Sequence, residues 1–145
     1  MATGNNVGGD FLNLGATFQV TANNTNGVAD KSLINLDGTV PANAATCTGG
    51  VVFKDTANGD YAAVKLPPGI YEVLSTGTVT AGSPVEVLVA TVKASISGSA
   101  TDVVAAGVQN HASGVEIGRA ITAGAANETV LVSLCVLNPA TNQAT

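Results

Sequence analysis

Gly50-Val51-Val52-Phe53-Lys54-Asp55-Thr56-Ala57-Asn58-Gly59-Asp60-Tyr61-Ala62-Ala63-Val64-Lys65-Leu66 is matched, 68 positions later and without a gap, by Gly118-Arg119-Ala120-Ile121-Thr122-Ala123-Gly124-Ala125-Ala126-Asn127-Glu128-Thr129-Val130-Leu131-Val132-Ser133-Leu134. Gly50 aligns with Gly118, Phe53 with Ile121, Ala57 with Ala125, Asp60 with Glu128, Val64 with Val132 and Leu66 with Leu134. Identities are few, but the apolar positions keep their parity and the small, polar turn falls at the same place. Side chains of a strand alternate between two faces, so a preserved parity preserves which face is buried. A duplicated strand-turn-strand unit with almost no reactive side chains points to a protein whose product is a surface.

Around this unit the chain reads as short strands separated by turn residues roughly every 8–12 positions, the pattern of an all-β sandwich or barrel. Asp37-Gly38 and Asn58-Gly59 are turn dipeptides, because glycine takes positive φ without steric cost. Asp60 to Leu66 alternates, with Ala62, Val64 and Leu66 on one face, and Pro67-Pro68-Gly69 ends it because proline cannot donate to a ladder. Gly69 to Ser75 and Val85 to Val92 are the next strands. Asp102 to His111 is the one candidate helix, of one or two turns. Glu116 to Thr122 and Thr129 to Val136 close the chain as the second hairpin. No Gly/Ser linker divides the sequence, so the copies are expected to be two halves of one barrel-like core. The expected class is all-β: a small barrel or sandwich with an internal duplication and an extended N-terminal arm.

Residues 1–28 differ from the rest, being rich in Gly and Asn around the apolar stretch Phe11-Leu12-Asn13-Leu14-Gly15-Ala16-Thr17-Phe18-Gln19-Val20. We therefore divide the chain into an arm, 1–28, and a single β-domain, 29–145. Two readings of the arm stay open. It is a frayed tail leading into a first strand, Thr17 to Ala22, or it orders on a neighbour's sheet edge and buries Phe11, Leu14 and Phe18.

Among the 145 residues, hydrophobic types make up 46%, but aromatics only 3% and charged types 10%, far below the roughly 25% usual for soluble domains. A weakly charged surface of this kind suits a protein that other protein will cover; an ordinary small β-domain with a Thr/Asn/Ser surface is the plainer reading. The five cations, Lys31, Lys54, Lys65, Lys93 and Arg119, are scattered and the net charge is −5. Phosphate neutralisation needs clustered Lys and Arg, which argues against nucleic acid as partner. The longest apolar run, Val85 to Val92, is too short for a bilayer and is broken by Glu86. The first residues carry neither a basic n-region nor an apolar h-region, so synthesis and accumulation in the cytoplasm are expected.

Catalytic and metal chemistry find little support. His111 is the single histidine, and with Asp102 and Ser113 it makes a nominal triad that lacks a nucleophile elbow. Asp55-Thr56-Ala57-Asn58-Gly59-Asp60 loosely follows a calcium loop without its ligand spacing, and the second copy replaces Asp55 by Ala123. Cys47 and Cys135 have no zinc-site spacing; buried thiols are the default, with a disulfide as the alternative. No phosphate-binding glycine loop occurs. No enzyme activity, metal or cofactor is expected.

The run Gly49 to Leu66, followed by Pro68-Gly69-Ile70-Tyr71-Glu72-Val73, resembles the core of tailed-phage capsid decoration (cement) proteins. Their turn-and-strand element is matched by Gly77-Thr78-Val79-Thr80-Ala81-Gly82-Ser83-Pro84-Val85. Their closing segment is matched by Ile117-Gly118-Arg119-Ala120 through Val130, Val132 and Leu134. The resemblance covers roughly residues 35–136 and is departed from by the arm and by residues 100–115. It implies a tulip-like β-domain on the exterior of an icosahedral head, with the major capsid protein as partner, trimers at three-fold positions, and terminal arms paired with capsid strands. Carried onto this chain, it makes Phe11, Leu12, Leu14, Phe18 and Val20 the protein-interaction residues. The alternative is a head-fibre or tail-appendage adhesion module binding a host glycan or receptor, for which only Tyr61 and Tyr71 offer aromatic surface.

Overall fold

The computed structural model describes residues 17–135, and they are all-β, with no helix among them. Nine strands follow in order: β1 (Thr17–Thr21), β2 (Leu33–Ile34), β3 (Gly50–Val52), β4 (Tyr61–Lys65), β5 (Gly69–Ser75), β6 (Pro84–Ile96), β7 (Ser99–Asn110), β8 (Gly118–Ala120) and β9 (Glu128–Leu134). They form one continuous sheet, β1-β4-β3-β2-β7-β5-β9-β8-β6, and β6 pairs again with β7. That second pairing closes β5, β9, β8, β6 and β7 into a five-stranded barrel and leaves β2, β3, β4 and β1 as a lateral wing.

The sequence repeat is a structural repeat in identical register. Val51 pairs with Lys65 and Val52 with Val64; 68 positions on, Arg119 pairs with Ser133 and Ala120 with Val132. Phe53 N–H donates to the Ala63 carbonyl as Ile121 N–H does to Leu131, and Asp60 N–H to Ala57 as Glu128 N–H does to Ala125. Gly50 and Gly118 coincide for a packing reason. A Cβ on either would collide with the carbonyl oxygen of its cross-strand partner segment, Lys65 for the first and Ser133 for the second.

The repeat also reaches further than its sequence signal. β1 lies on β4 as β5 lies on β9: Thr17 opposes Lys65 and Phe18 opposes Val64, while Ile70 opposes Ser133 and Tyr71 opposes Val132. The isolated bridge Val28–Thr56 has its counterpart in Val79–Gly124. Lys31 N–H donates to Val52 at 2.6 Å and Gly82 N–H to Ala120 at 2.8 Å, and both donors take positive φ, 67° and 85°. Leu33 and Ile34 meet Val51 and Gly50 as Pro84 and Val85 meet Arg119 and Gly118. Each half is therefore a four-stranded unit, β1 to β4 in the first and β5, the start of β6, β8 and β9 in the second. Between its second and third strands the first unit has the loop 35–49; the second has the long β6–β7 hairpin, of 13 and 12 residues.

The cores match as well. Val20, Val28, Ile34, Val52, Ala62 and Val64 fill the wing, and their counterparts Val73, Val79, Val85, Ala120, Val130 and Val132 lie in the barrel core. Leu33 and Val51 reach across from the wing to join that barrel core. A third cluster, Ala29, Val92, Ala94, Val103 and Ala105, runs under the hairpin. These cores are built from Val and Ala, which suits a pleated surface because β-branched side chains pack well on it.

Three expectations are corrected. The segment Asp102 to His111 is not helical: residues through Asn110 belong to β7, paired along its length with β6 from Asn110–Val85 to Ser99–Ile96. Cross-strand partners on both edges override a run that periodicity alone left ambiguous. The strand expected at Val85 to Val92 extends from Pro84 to Ile96 for the same reason. And only the second copy enters the barrel; the first makes the wing, because its 35–49 loop supplies no closing strand.

Replacing Gly50 or Gly118 by Ala is expected to cost about 1–3 kcal/mol, since the added methyl meets backbone that cannot rotate away. Gly59→Ala tests the alternative, because a Cβ there meets nothing and only the φ of +93° opposes it. Urea unfolding of the three variants checks this: equal losses at all three would mean that the glycines serve conformation rather than close approach.

Candidate functional site

The nominal triad is not assembled. Asp102 and His111 stand at opposite ends of one extended strand, roughly 30 Å apart at about 3.3 Å per residue. Asp102 pairs with Lys93 at 2.7 Å, and His111 Nε2 lies 2.9 Å from the Gly114 carbonyl. The Asp55 carboxylate accepts the N–H of Asp30 at 2.6 Å on one oxygen and that of Ser95 at 2.7 Å on the other. It thereby ties the wing to the tip of the hairpin. No group of three or more His, Cys, Asp or Glu is placed to hold a metal among the described residues. Cys47 and Cys135 are unpaired. Cys47 is buried, its thiol donating to the Ile34 carbonyl at 3.3 Å and pushed up to about 11 by burial. Cys135 is exposed, against the expectation of two buried thiols.

One carboxylate is buried with a definite task. Glu86, 3% exposed, accepts the backbone N–H groups of Ala112 (2.8 Å), Ser113 (3.2 Å) and Gly114 (2.9 Å) on Oε1 and the Gln109 amide (3.2 Å) on Oε2. Three successive N–H groups of the loop leaving β7 are held by this side chain. In the wing, Asn35 occupies the matching place after β2 and accepts the N–H of Thr48 at 3.0 Å. The Ala112 bond first, with those from Gly114, Gln109 and Ser113, holds the Glu86 carboxyl below the usual carboxylate range against the opposing effect of desolvation.

The arm residues are placed unequally. Phe11, Leu12 and Leu14 lie outside the described residues. Phe18 falls in β1, opposite Val64. Val20, 8% exposed, packs in the wing core, so its surface is already covered by its own domain. Residues 17–28 thus supply strand β1 and the buried Ala22 and Val28. β1 pairs with β4 on one side only among the described residues, so Thr17, the first of them, stands on a strand with one edge unpaired there.

The feature that sequence reading missed is a groove between wing and barrel. It measures about 360 Å³, and Phe53, Ile70, Tyr71 and Leu131 supply its apolar wall. Lys31, Lys65, Asp30 and Glu72 form the rim. Phe53 is 40% and Ile70 61% exposed, a cost in water that a lone surface side chain can bear but that here is concentrated in one concavity. Lys65 Nζ lies 5.0 Å from the centre of the Phe53 ring, and Lys31 pairs with Asp30 at 3.1 Å and with Glu72 at 3.9 Å. Tyr71 turns its hydroxyl inward to the Leu66 carbonyl at 2.6 Å, which leaves Tyr61, 71% exposed, as the open tyrosine. The groove was illegible because its lining comes from separate segments, around residues 30, 52, 65–72 and 131, which meet only where the wing joins the barrel. A larger hollow of about 560 Å³ beside Asp55, Lys93 and Asp102 is lined by charges that already have partners.

Comparison with protein-family models, with characterised proteins and with solved structures returns no match.

Because the folded Glu86 carboxyl titrates below its unfolded value, its stabilisation is fully present above the unfolded pKa, roughly 4.3. It is lost as pH falls through the folded pKa. Glu86→Gln is expected to cost about 1–3 kcal/mol at pH 7. The gap to the native chain should close on acidification, as read by denaturant midpoints across pH. A gap that stayed constant with pH would mean that the charge contributes nothing to holding the loop.

Proposed function

We propose that this chain is a structural virion protein that binds the outer surface of an icosahedral phage head and cements neighbouring capsid subunits. It would act as a homotrimer with the major capsid protein as its partner. The reading rests on the resemblance of residues 35–136 to capsid decoration proteins, and one structural observation supports it on this chain: among the described residues β1 is paired on one side only, and in sequence Phe11, Leu12 and Leu14 precede it by three to six positions. An apolar segment close in sequence to an unpaired sheet edge suits strand addition, in which main-chain hydrogen bonds give affinity and alternate side chains fill pockets.

The rest of the molecule is compatible with that task. A rigid barrel with a valine core and few surface charges offers area rather than chemistry. Each copy, touching more than one capsid subunit, would add weak contacts that sum through effective concentration, so that no subunit leaves without breaking several. The Phe11, Leu12 and Leu14 side chains are the contacts proposed toward capsid or a sister subunit.

Cryo-electron microscopy of heads from the source of this gene tests the proposal. Density at regular three-fold sites on the shell is the expected result; density confined to a tail or fibre would replace it by an adhesion module. Deletion of residues 1–16 is expected to leave the barrel and wing folded while removing at least about 90% of head binding in a sedimentation assay, an affinity loss on the order of tenfold or more. Undiminished binding of the truncated chain would overturn the role given to the arm.

A further inference from the structure

β5 has one edge that its own domain leaves partly open. Against β9 it pairs fully, from Gly69–Leu134 to Ser75–Glu128. On the other side Leu74 N–H reaches the Lys31 carbonyl at 2.8 Å and Ser75 bridges Val108. In an antiparallel ladder, alternate residues direct both main-chain groups away from the partner strand. Those of Ile70 and Glu72 therefore point the same way as Leu74 N–H, and they have no backbone partner among the described residues. They face the groove that Phe53, Leu131 and the Ile70 side chain line. An unpaired strand edge beside exposed apolar side chains is a template for one more strand.

We propose that this groove seats the chain's own segment Asp10-Phe11-Leu12-Asn13-Leu14 when the protein is free in solution. The first described residue, Thr17, pairs directly with Lys65, and Lys65 lines the groove. Leu14 is three residues from Thr17 and Phe11 six, so the segment lies within about 10–20 Å of chain from the site. A tether this short sets an effective concentration in the millimolar range or above, which favours the chain's own segment over a free one. Gly15, between segment and β1, permits the change of direction this needs. The chemistry also matches: Phe11, Leu12 and Leu14 meet an apolar wall, and Asp10 meets Lys65, which makes no ion pair among the described residues. The groove would thus shelter the apolar segment until a stronger partner takes it. The inference concerns the free protein and stands whether or not the capsid reading does.

Hydrogen exchange by NMR on the full chain, at low micromolar concentration and without capsid, tests it. The Ile70 and Glu72 amides are expected to exchange at least about tenfold more slowly than in the double variant Phe11→Asp, Leu14→Asp. The Leu74 amide, bonded to Lys31, should be equally slow in both and reports that the fold is intact. Ile70→Asp, at an exposed position that leaves the core untouched, should release the Glu72 amide in the same way. Fast exchange in the native chain, or equal rates in native and variant chains, would overturn the proposal. Protection that appears only as concentration rises, together with a doubled mass in light scattering, would overturn it too by assigning the groove to a second copy.

Discussion

The structure turns on the two edges of β7. One edge carries the twelve-residue ladder to β6; the other meets β5 through Ser75–Val108 and β2 through Leu33–Ala106. The first of these contacts closes the barrel and the second attaches the wing. Gly107, between Ala106 and Val108, is where they converge: a Cβ there would press on the Leu74 carbonyl at 2.5 Å and on the Thr76 methyl at 2.7 Å. Barrel closure removes the unpaired edges that make open sheets prone to further pairing. Among the described residues, edges without a second strand remain on β1, on the first residues of β5, and along the outer parts of the β6–β7 hairpin.

Duplication explains the symmetry of the two halves, and divergence explains their different fates. Leu33 and Val51 of the wing turn into the barrel core, whereas their counterparts Pro84 and Arg119 face outward, with Arg119 donating to the Gly82 carbonyl at 2.7 Å. Phe53 and Ile121, aligned in the repeat, are both exposed, but only Phe53 faces a second wall. The junction between halves is therefore made once, and the groove exists because the wing leans on the barrel there. Polar side chains hold the loops that differ between halves: half-buried Asn35 in one, buried Glu86 in the other.

The proposed function draws on surfaces of this arrangement. Of the side chains weighed for catalysis or metal binding, Asp55 is engaged in structural hydrogen bonds, and Asp102 and His111 are separated along and just beyond β7. Two of the exposed apolar side chains, Phe53 and Ile70, share a groove beside the partly open edge of β5. That juxtaposition is what the proposals of strand addition, by the chain's own N-terminal segment or by a partner's, rest on.

The sequence by itself determined the all-β class, the hairpin repeat and its register, because strand parity and turn glycines are local properties that a 17-residue window displays. It did not disclose that Thr17–Ala22 repeats as Ile70–Ser75, where only Val20 and Val73 coincide, since backbone pairing tolerates almost any side chain on the solvent face. It misjudged Asp102 to His111, whose Val-Val-Ala-Ala-Gly run fits strand or helix until partners are known. Which copy closes a barrel, where the free edges fall, and that Phe53 and Ile70 share a groove were decided only in three dimensions. The physical reason is that each depends on hydrogen bonds and contacts between segments far apart in the chain, and residue patterns encode those only after the strands have found one another.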